Sequence, residues 1–526
     1  MPEAPLPANG SPSKARPTTR LDAVYRYAAR QRLAERTDPV DLVVIGGGIT
    51  GVGAALDAVT RGLSVVLVEA HDLAFGTSRW SSKLVHGGLR YLATGDVGIA
   101  RESAVERHRI MTTIAPHLVS PMTQLVPIHS ETSALTRGLV RAGFLAGDAL
   151  RRSAGTKAAV LPRSRRVSAA QVLAQCPTVR PDGLRGGLVA HDGQLIDDAR
   201  LVVGVARTAA GHGASILTYT KAIAVQPGQV TLEDTRTGES FTLRARSVIN
   251  ACGVWADQVD PTITLRPSRG THLVFDAGAF GNPTAALTVQ IPGHTNRFVF
   301  AMPEQLGRVY LGLTDEDAPG AVPDVPVPAQ SEIDFLIDTI NSALATPVSR
   351  SDVIGMYAGL RPLLQSDGST ADLSRNHAVL QGHSGMISVV GGKLTTYRQM
   401  AEDAVDMAVR TAGLPAGPCR TASLPLIGAH PVGAPVGSAI PASLVARFGG
   451  ESARVVESAS VSEPLDHIAD GIDVTRAEIE YAFTHEGAIT VDDVLERRTR
   501  IGLVSADADA ARPAVEKIAD AVGITR

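Results

Sequence analysis

Glycine spacing and an acidic residue near the start of the chain indicate a nucleotide site. An apolar run over residues 43–51 contains Gly46, Gly48 and Gly51, and Glu69 closes the next apolar run, with 17 residues between it and Gly51. The first two glycines let a strand turn sharply beside a pyrophosphate, and the third lets the following helix pack on the strand. Glu69 can accept hydrogen bonds from ribose hydroxyls, and an acid here argues against a 2′-phosphate. The pattern predicts a site for FAD or NAD rather than NADP.

Two further apolar runs end in glycine turns, at Gly253 and at Gly391-Gly392. Together with the first turn they enclose a β-rich insertion, which indicates a dinucleotide whose reactive ring lies between two domains. A helix begins after Gly392, at Lys393, Leu394 and Thr395. Its free N–H groups could stabilise negative charge on a reduced flavin, although an ordinary helix start would need the same residues.

Length and composition restrict the class of protein. A chain of 526 residues, 44% apolar, is expected to form two or three domains, and its net charge of −3 gives no general attraction for nucleic acid. The three cysteines have no paired spacing, which suits a reducing compartment. The sequence has no ligand spacing typical of zinc or of an iron–sulfur cluster, so no metal site is predicted. The absence of an apolar signal core and of a run of about 18 apolar residues predicts a protein that is neither exported by a signal peptide nor membrane-spanning.

The order of predicted elements indicates an α/β (α+β) fold. Strand, helix and strand follow residue 41, helices are expected near 21–35 and 197–210, and alternating runs between 272 and 313 predict an antiparallel sheet. We expect a Rossmann-like dinucleotide-binding domain, an inserted antiparallel-sheet domain and a C-terminal helical domain. The boundaries are 1–40 for an N-terminal extension and helix; 41–128, 180–262 and 350–413 for the discontinuous dinucleotide-binding domain; 129–179 and 263–349 for the substrate- and membrane-facing domain; 414–441 for a linker; and 442–526 for the helical domain.

Residues 129–166 have a local surplus of six positive charges. If the segment is a helix, Arg137, Arg141 and Arg152 share one side, with Phe144 beside them. Three leucines lie roughly opposite: Leu135, Leu139 and Leu150. This arrangement is compatible with an interfacial helix on an anionic membrane, and also with a solvated surface helix.

Longer blocks of sequence resemble one enzyme family. They are Ile45–Gly51, Thr77–Leu92 with the core Ser-Ser-Lys-Leu-Val-His-Gly-Gly-Leu-Arg-Tyr, Asp197–Leu201, Asn250–Asp257, Gly359–Pro362 and Gly391–Arg398. The chain from about residue 20 to its end resembles the bacterial respiratory FAD-dependent glycerol-3-phosphate dehydrogenases. The resemblance implies FAD as cofactor and oxidation of sn-glycerol 3-phosphate to dihydroxyacetone phosphate in glycerol catabolism, by hydride transfer from C2 to flavin N5.

The same resemblance implies that electrons pass to a membrane quinone and that the protein is cytoplasmic, held peripherally on the inner face of the cell membrane. It leaves open whether the chain forms a homodimer. Two rival functions also remain: an oxidase of the same fold that uses O2, and a flavin-binding membrane scaffold without turnover.

Family positions around the substrate match several basic residues of this chain. Arg361 and Arg375 match residues that line the substrate pocket, Arg90 is a third candidate, and Lys393 could contact flavin or substrate. An arginine fork suits a dianionic phosphate, although each of these residues could instead form a structural ion pair. Arg361 is also a candidate for the catalytic set.

Removal of hydride from an alcohol requires a base for the hydroxyl proton. His86 and His272 are the candidates, since histidine has a suitable pKa, although each could be a structural donor. Small polar residues of one loop are further candidates for flavin binding, because short side chains permit close approach. They are Thr77, Ser78, Ser82 and Lys83.

Overall fold

The computed structural model describes residues 17–93, 95–294, 297–365, 377–382, 384–429 and 440–524, with the backbone alone at Arg90 and Ala93. Its α-helices are α1 Ala23–Ala34, α2 Ile49–Thr60, α3 Leu89–Ala93, α4 Val97–Arg109, α5 Ala134–Ser153, α6 Ala169–Gln175, α7 Asp198–Gly211, α8 Ala256–Val259, α9 Gln330–Asn341, α10 Tyr397–Ala412, α11 Ala442–Phe448, α12 Ser452–Glu457, α13 Arg476–His485, α14 Val491–Asp493 and α15 Ser505–Ala521. Its strands are β1 Val40–Ile45, β2 Val65–Val68, β3 Leu84–Val85, β4 Val119–His129, β5 Arg165–Val167, β6 Leu184–Leu195, β7 Ser215–Leu217, β8 Thr220–Gln226, β9 Gln229–Asp234, β10 Ser240–Asn250, β11 Ser268–Asp276, β12 Ala286–Gln290, β13 Phe298–Glu304, β14 Arg308–Gly312, β15 Glu316–Asp317, β16 Val353–Arg361, β17 His377–Gln381, β18 Ile387–Gly391, β19 His467–Ala469 and β20 Ile472–Thr475.

The first sheet has a parallel centre, in the order β18-β10-β1-β2-β7, with β17 antiparallel at one edge. Strands β1 and β2 are almost entirely buried, as expected of strands covered on both faces. Helices α2, α7 and α10 cover one face, while α1 and the β8–β9 hairpin cover the other. The predicted Rossmann-like domain is confirmed, and α1 packs on it through Ala29 and Leu33.

Two glycines fix the turn from β1 into α2. Gly46 has φ +112°, and a Cβ there would lie 2.6 Å from the carbonyl oxygen of Ala251. A Cβ on Gly51 would lie 1.8 Å from the carbonyl oxygen of Gly46. A side chain at Gly46 would therefore clash with the backbone just after β10, and one at Gly51 would push α2 away from the turn that follows β1.

The second sheet runs in the order β15-β11-β14-β13-β12-β4-β6-β3, with β16 beside β11 and β5 beside β6. It is mostly antiparallel and is covered by α9 through Leu336 and Ile340. The predicted boundaries are wrong here: they assign 119–128, 184–195 and 353–361 to the dinucleotide-binding domain, whereas these strands belong to the second sheet. Pairing between strands that are distant in sequence decides which sheet a strand joins. The alternation of apolar and polar residues along a strand is the same in both sheets, so it cannot assign the strand.

The C-terminal domain is helical, as predicted, and contains α11–α15; it also contains the small β19–β20 hairpin, which was not predicted. Of the predicted linker 414–441, residues 430–439 lie outside the described residues, and Leu414 and Leu426 pack into the core of the first domain. Of the N-terminal extension, residues 1–16 also lie outside the described residues. In the described part of the chain, no helix is long and apolar enough to cross a bilayer.

Buried ion pairs join the C-terminal domain to the first domain. Both oxygens of Asp72 accept from Arg498, at 2.8 Å each, and Oδ2 also accepts from Arg497 at 2.8 Å. Burial alone would raise the pKa of Asp72, but the charges of Arg498 and Arg497 outweigh it and lower the pKa. The carboxylate is therefore ionised and satisfied, although it is fully buried.

Replacement of Asp72 by Asn is expected to lower the free energy of unfolding by about 3–5 kcal/mol, because two buried guanidinium groups lose their counter-charge. The matched control is Asp492→Asn. Its ion pair with Arg512 is exposed, with 59% and 41% of the two side chains accessible, and is worth about 0–1 kcal/mol. Thermal unfolding monitored by circular dichroism measures the melting temperatures of both variants. Equal melting temperatures for the two variants would contradict the role given to Asp72.

Candidate active site

A cavity of about 1230 Å³ lies between the two sheets and is larger than the roughly 300–1,000 Å³ of ordinary small-molecule sites. It begins at the β1–α2 turn and reaches the start of α10 and the ends of β11 and β16. The predicted site residues that line it are Gly46, Gly48, Glu69, Thr77, Ser78, Ser82, His86, Gly253, His272, Arg361, Gly391, Gly392, Lys393, Leu394 and Thr395. Long-range folding thus brings together most of the predicted set.

At one end the cavity meets the N-terminus of α2. Gly48 is the N-cap residue, and the next N–H, that of Ile49, donates to Ser78 Oγ at 2.9 Å. Glu69 Oε2 accepts from the N–H of Gly47 at 2.5 Å. Gly51 is not in the wall and instead allows the helix to pack behind it. The helix terminus and the carboxylate fit a pyrophosphate and a ribose respectively.

At another part of the cavity, backbone N–H groups gather at the start of α10. Gly391 and Gly392 have φ +75° and +73°, and a short 3₁₀ turn, Leu394–Thr396, follows. Such a turn offers unpaired N–H groups, which suit the electron-accepting edge of a flavin. Lys393 donates to Ser103 Oγ at 2.5 Å and lies 4.0 Å from the centre of the Tyr91 ring.

Arg361 ends β16 and is held by polar groups of the second sheet. Its Nη1 donates to Asp315 Oδ1 at 3.0 Å and to Ser268 Oγ at 3.2 Å, and Nη2 donates to the carbonyl of Thr314 at 3.3 Å. These contacts fix the plane of a guanidinium group in the cavity wall. A planar, fixed cation of this kind suits a phosphate.

His272 is a neutral imidazole within the same wall. It lies opposite Tyr357 in the β11–β16 pair and stacks on that ring at 4.7 Å, while its Nε2 is 2.9 Å from Ser82 Oγ. Burial, followed by the charges of Lys83 and Arg361, lowers the pKa of His272 to about 3. Among the described residues, Nδ1 has no hydrogen-bond partner.

His86 has a different hydrogen-bond arrangement. Its Nδ1 accepts from the backbone N–H of Gly88 at 3.3 Å, and the backbone N–H of His86 donates to Thr395 Oγ1 at 3.2 Å. In the neutral ring this arrangement puts the proton on Nε2, which is then a hydrogen-bond donor.

The prediction that Lys83 binds the cofactor is wrong. Its side chain is fully buried and outside the cavity wall, and Nζ donates to Asp198 Oδ2 and to the carbonyl of Arg79, both at 2.8 Å. Burial and the charge of Arg500 lower the pKa of Lys83 to about 8. The side chain of Arg90 and the whole of Arg375 lie outside the described residues.

The structure adds residues that the sequence analysis did not single out. Tyr357 supports His272, and Asp315 and Ser268 support Arg361. Tyr91, which lies beside Lys393, is the last residue of the Ser-Ser-Lys-Leu-Val-His-Gly-Gly-Leu-Arg-Tyr block. Its place in that block could have marked it as a candidate site residue. The others face the site only through strand register, which leaves no local mark.

Helix α5 forms an apolar part of the wall through Leu139, Val140, Ala142, Gly143 and Ala146. Phe144, predicted to fall beside the arginines, does not favour an interfacial helix over a surface helix, because it is 8% exposed and packs on Val126, Leu188 and Ala190. Leu135 and Leu145, in contrast, are 73% and 50% exposed.

In the described ranges, no group of three or more His, Cys, Asp or Glu side chains could hold a metal ion.

Two family models match the chain. That of FAD dependent oxidoreductases covers residues 41–398, and that of the C-terminal domain of alpha-glycerophosphate oxidase covers residues 419–525. Together they span the two sheets and the helical domain described above.

Curated relatives extend over nearly the whole chain. Glycerol-3-phosphate dehydrogenase 1 of Mycobacterium tuberculosis is 64% identical over 495 residues, which cover 93% of this chain and 96% of the relative. The glycerol-3-phosphate dehydrogenase of Mycobacterium leprae is 35% identical over 512 residues, covering 93% and 85%.

Solved structures agree with this grouping. Glycerol-3-phosphate dehydrogenase from Bacillus halodurans, complexed with FAD, has a TM-score of 0.73 at 27% identity and covers 96% of this chain and 95% of its own. L-alpha-glycerophosphate oxidase from Mycoplasma pneumoniae shares the fold, with a TM-score of 0.55 at 18% identity, covering 74% and 99%. The chain therefore belongs to the FAD-dependent oxidoreductases, within the glycerol-3-phosphate dehydrogenase family.

Proposed function

We propose that this protein oxidises sn-glycerol 3-phosphate to dihydroxyacetone phosphate in glycerol catabolism and passes the electrons to a membrane quinone. One observation carries the proposal: a single cavity joins the dinucleotide turn at Gly46 to a wall that contains Arg361 and His272. The 64% identity to a protein named as a glycerol-3-phosphate dehydrogenase supports the same substrate.

The cofactor and the chain divide the work. FAD supplies an acceptor at N5 for the hydride from C2 and later releases the electrons. Gly46, Gly48 and Glu69 would hold its nucleotide half, while the N–H groups after Gly391 would face its ring. The chain must also bind the phosphate and accept the hydroxyl proton.

Arg361 is proposed to bind the phosphate. Asp315 and Ser268 hold the guanidinium group in the cavity wall, so little side-chain freedom is lost when a substrate binds. Lys393, at the start of α10, would add a second cation. Arg90 and Arg375 remain candidates on the family resemblance alone.

His272 is proposed as the base. Nδ1 is buried, so the ring reaches the substrate through Nε2: the neutral imidazole can accept a proton at Nε2 from Ser82 Oγ, which lines the cavity and in turn takes the proton of the C2 hydroxyl. His86 is less suitable, because Gly88 donates to its Nδ1 and the neutral ring then presents a donor. We assign His86 the role of a hydrogen-bond donor to the substrate.

Features of helix α5 support two parts of the proposal: contact with the membrane and quinone as the electron acceptor. Leu135 and Leu145 are exposed apolar residues, with Arg137 and Arg152 exposed on the same helix. This combination suits an anionic lipid surface. Since Ala142 and Ala146 of this helix also line the cavity, an apolar acceptor from lipid would meet the cavity at an apolar wall. We therefore favour quinone over O2 and a peripheral position on the inner face of the membrane.

Anaerobic mixing of the purified flavoprotein with glycerol 3-phosphate is expected to bleach the long-wavelength flavin band, and added quinone should restore it faster than air does. Arg361→Ala should keep its flavin but require about 10- to 100-fold more substrate, since it loses a charge-assisted contact. Arg350→Ala, at an exposed arginine, is the control. No bleaching of the native protein would exclude oxidation of this substrate, and faster recovery in air than with quinone would favour the oxidase.

Replacement of His272 by Asn is expected to slow flavin reduction by about 10²- to 10⁴-fold, because the proton acceptor is lost. The lowered pKa of His272, about 3, means that the native ring is already neutral from about pH 5 to about pH 9. The ratio of native to variant rates should therefore be constant over that range. A ratio that changes near the ordinary histidine pKa of about 6.5 would contradict the lowered pKa of His272, and a variant as fast as native protein would identify a different base.

Binding to vesicles of anionic phospholipid is expected to weaken as salt is raised, because exposed arginines of α5 and the following segment supply part of the attraction. Arg137→Glu with Arg152→Glu should weaken binding by more than about 1 kcal/mol for each residue. Lys517→Glu, which changes an exposed cation of α15, is the control. Equal effects of the two sets of changes would argue against α5 as the membrane contact.

A further inference from the structure

A short segment beside the cavity, Ser81–Lys83, is held from behind by one carboxylate. Asp198 Oδ2 accepts from the backbone N–H of Ser81 at 3.0 Å, from Ser81 Oγ at 2.7 Å and from Lys83 Nζ at 2.8 Å. Lys83 has φ +56°, a left-handed conformation that is unfavourable for a residue with a side chain. The hydrogen bonds to Asp198 therefore determine a backbone shape that the local sequence does not favour.

The middle residue of that segment, Ser82, is the one that reaches the reaction site. It lines the cavity and lies 2.9 Å from His272 Nε2, and Tyr357 donates to the carbonyl of Ser81 at 3.1 Å. The position of Ser82 thus orients the ring of His272 and pairs its Nε2 with a hydroxyl of the cavity wall.

The other side of Asp198 is held by the C-terminal domain. Arg500 Nη2 donates to Asp198 Oδ1 and, at 2.9 Å, to Asp197 Oδ1, and Nη1 donates to the carbonyl of Arg79 at 3.4 Å. Arg500 is 4% exposed, and Asp198 is fully buried. Arg500, more than 400 positions along the chain from Ser81–Lys83, therefore bonds directly to the backbone two residues before Ser81 and to the carboxylate that holds Ser81–Lys83.

We propose that Arg500 is a positioning residue for the oxidation: through Asp198 it holds Ser81–Lys83 so that Ser82 fixes His272 for proton transfer. This inference rests on the proposed role of His272 as base. It gives the C-terminal domain a part in the reaction rate beyond its part in stability.

Arg500→Met and Arg500→Lys test the proposal, with Glu486→Gln as the matched control. Glu486 is a buried carboxylate of the C-terminal domain that pairs with Arg200 and has no recorded contact with Ser81–Lys83 in the described structure. All three should bind FAD. At a temperature where each is folded, Arg500→Met should reduce its flavin with saturating glycerol 3-phosphate about 10- to 100-fold more slowly than native protein. Arg500→Lys should recover part of that rate, and Glu486→Gln should have the native rate.

A double-mutant cycle with Ser82→Ala distinguishes positioning from general destabilisation. If Arg500 acts through Ser82, the two losses are expected to be clearly less than additive in free energy. Additive losses, or a native rate in Arg500→Met, would overturn the proposal. Should Arg500→Met fail to fold, the cycle with Arg500→Lys decides in the same way.

The experiments distinguish a failure of the proposed function from a failure of this inference. Native protein that is not reduced by glycerol 3-phosphate overturns the substrate assignment. Native protein that is reduced, with His272→Asn equally fast, overturns the base and the Arg500 inference together. Native and His272→Asn results as expected, with additive Arg500 and Ser82 losses, overturn the Arg500 inference alone.

Discussion

Buried charge pairing between the C-terminal domain and the first domain is the constraint on which the rest of the structure depends. Asp72, Asp198 and Glu486 are almost completely withdrawn from water, and each is paired with arginine from the opposite domain. Such pairs contribute little net free energy relative to apolar contacts, but a misplaced partner leaves an uncompensated charge in the interior. They therefore specify a single docking geometry more strongly than they stabilise it. The wall around Ser82 and His272 depends on one of these pairs, that of Asp198 with Arg500.

Sequence reasoning was most successful where function depends on local backbone geometry. The Gly46–Gly51 turn and Glu69 could be found from spacing alone, because the glycines are needed by a turn and a helix that are adjacent in the chain. The same is true of Gly391-Gly392 before α10. The family resemblance then supplied Arg361, and the need for a base in the reaction that it implies singled out His86 and His272; no spacing rule connects these residues.

What could not be predicted is set by pairing between distant strands. His272 meets Tyr357 because β11 and β16 pair in one register, and the same register puts Ser268 opposite Arg361. A shift of one residue would turn each side chain to the other face. The errors have the same origin: β4, β6 and β16 alternate like strands of either sheet, Lys83 is turned away by Asp198, and Phe144 is buried by neighbours on β4 and β6.

The chain crosses repeatedly between the two sheets, and this order affects how the protein can be made. After β2 it leaves the first sheet for β3 to β6, returns for β7 to β10, leaves again for β11 to β16 and returns at β17. On the ribosome, β1 and β2 emerge long before β10, which pairs with β1, and longer still before β18, which pairs with β10. Apolar strand edges therefore remain uncovered through most of translation, when association with other nascent chains competes with folding. Protection of the growing chain, rather than the stability of the finished fold, is then expected to limit its yield in cells.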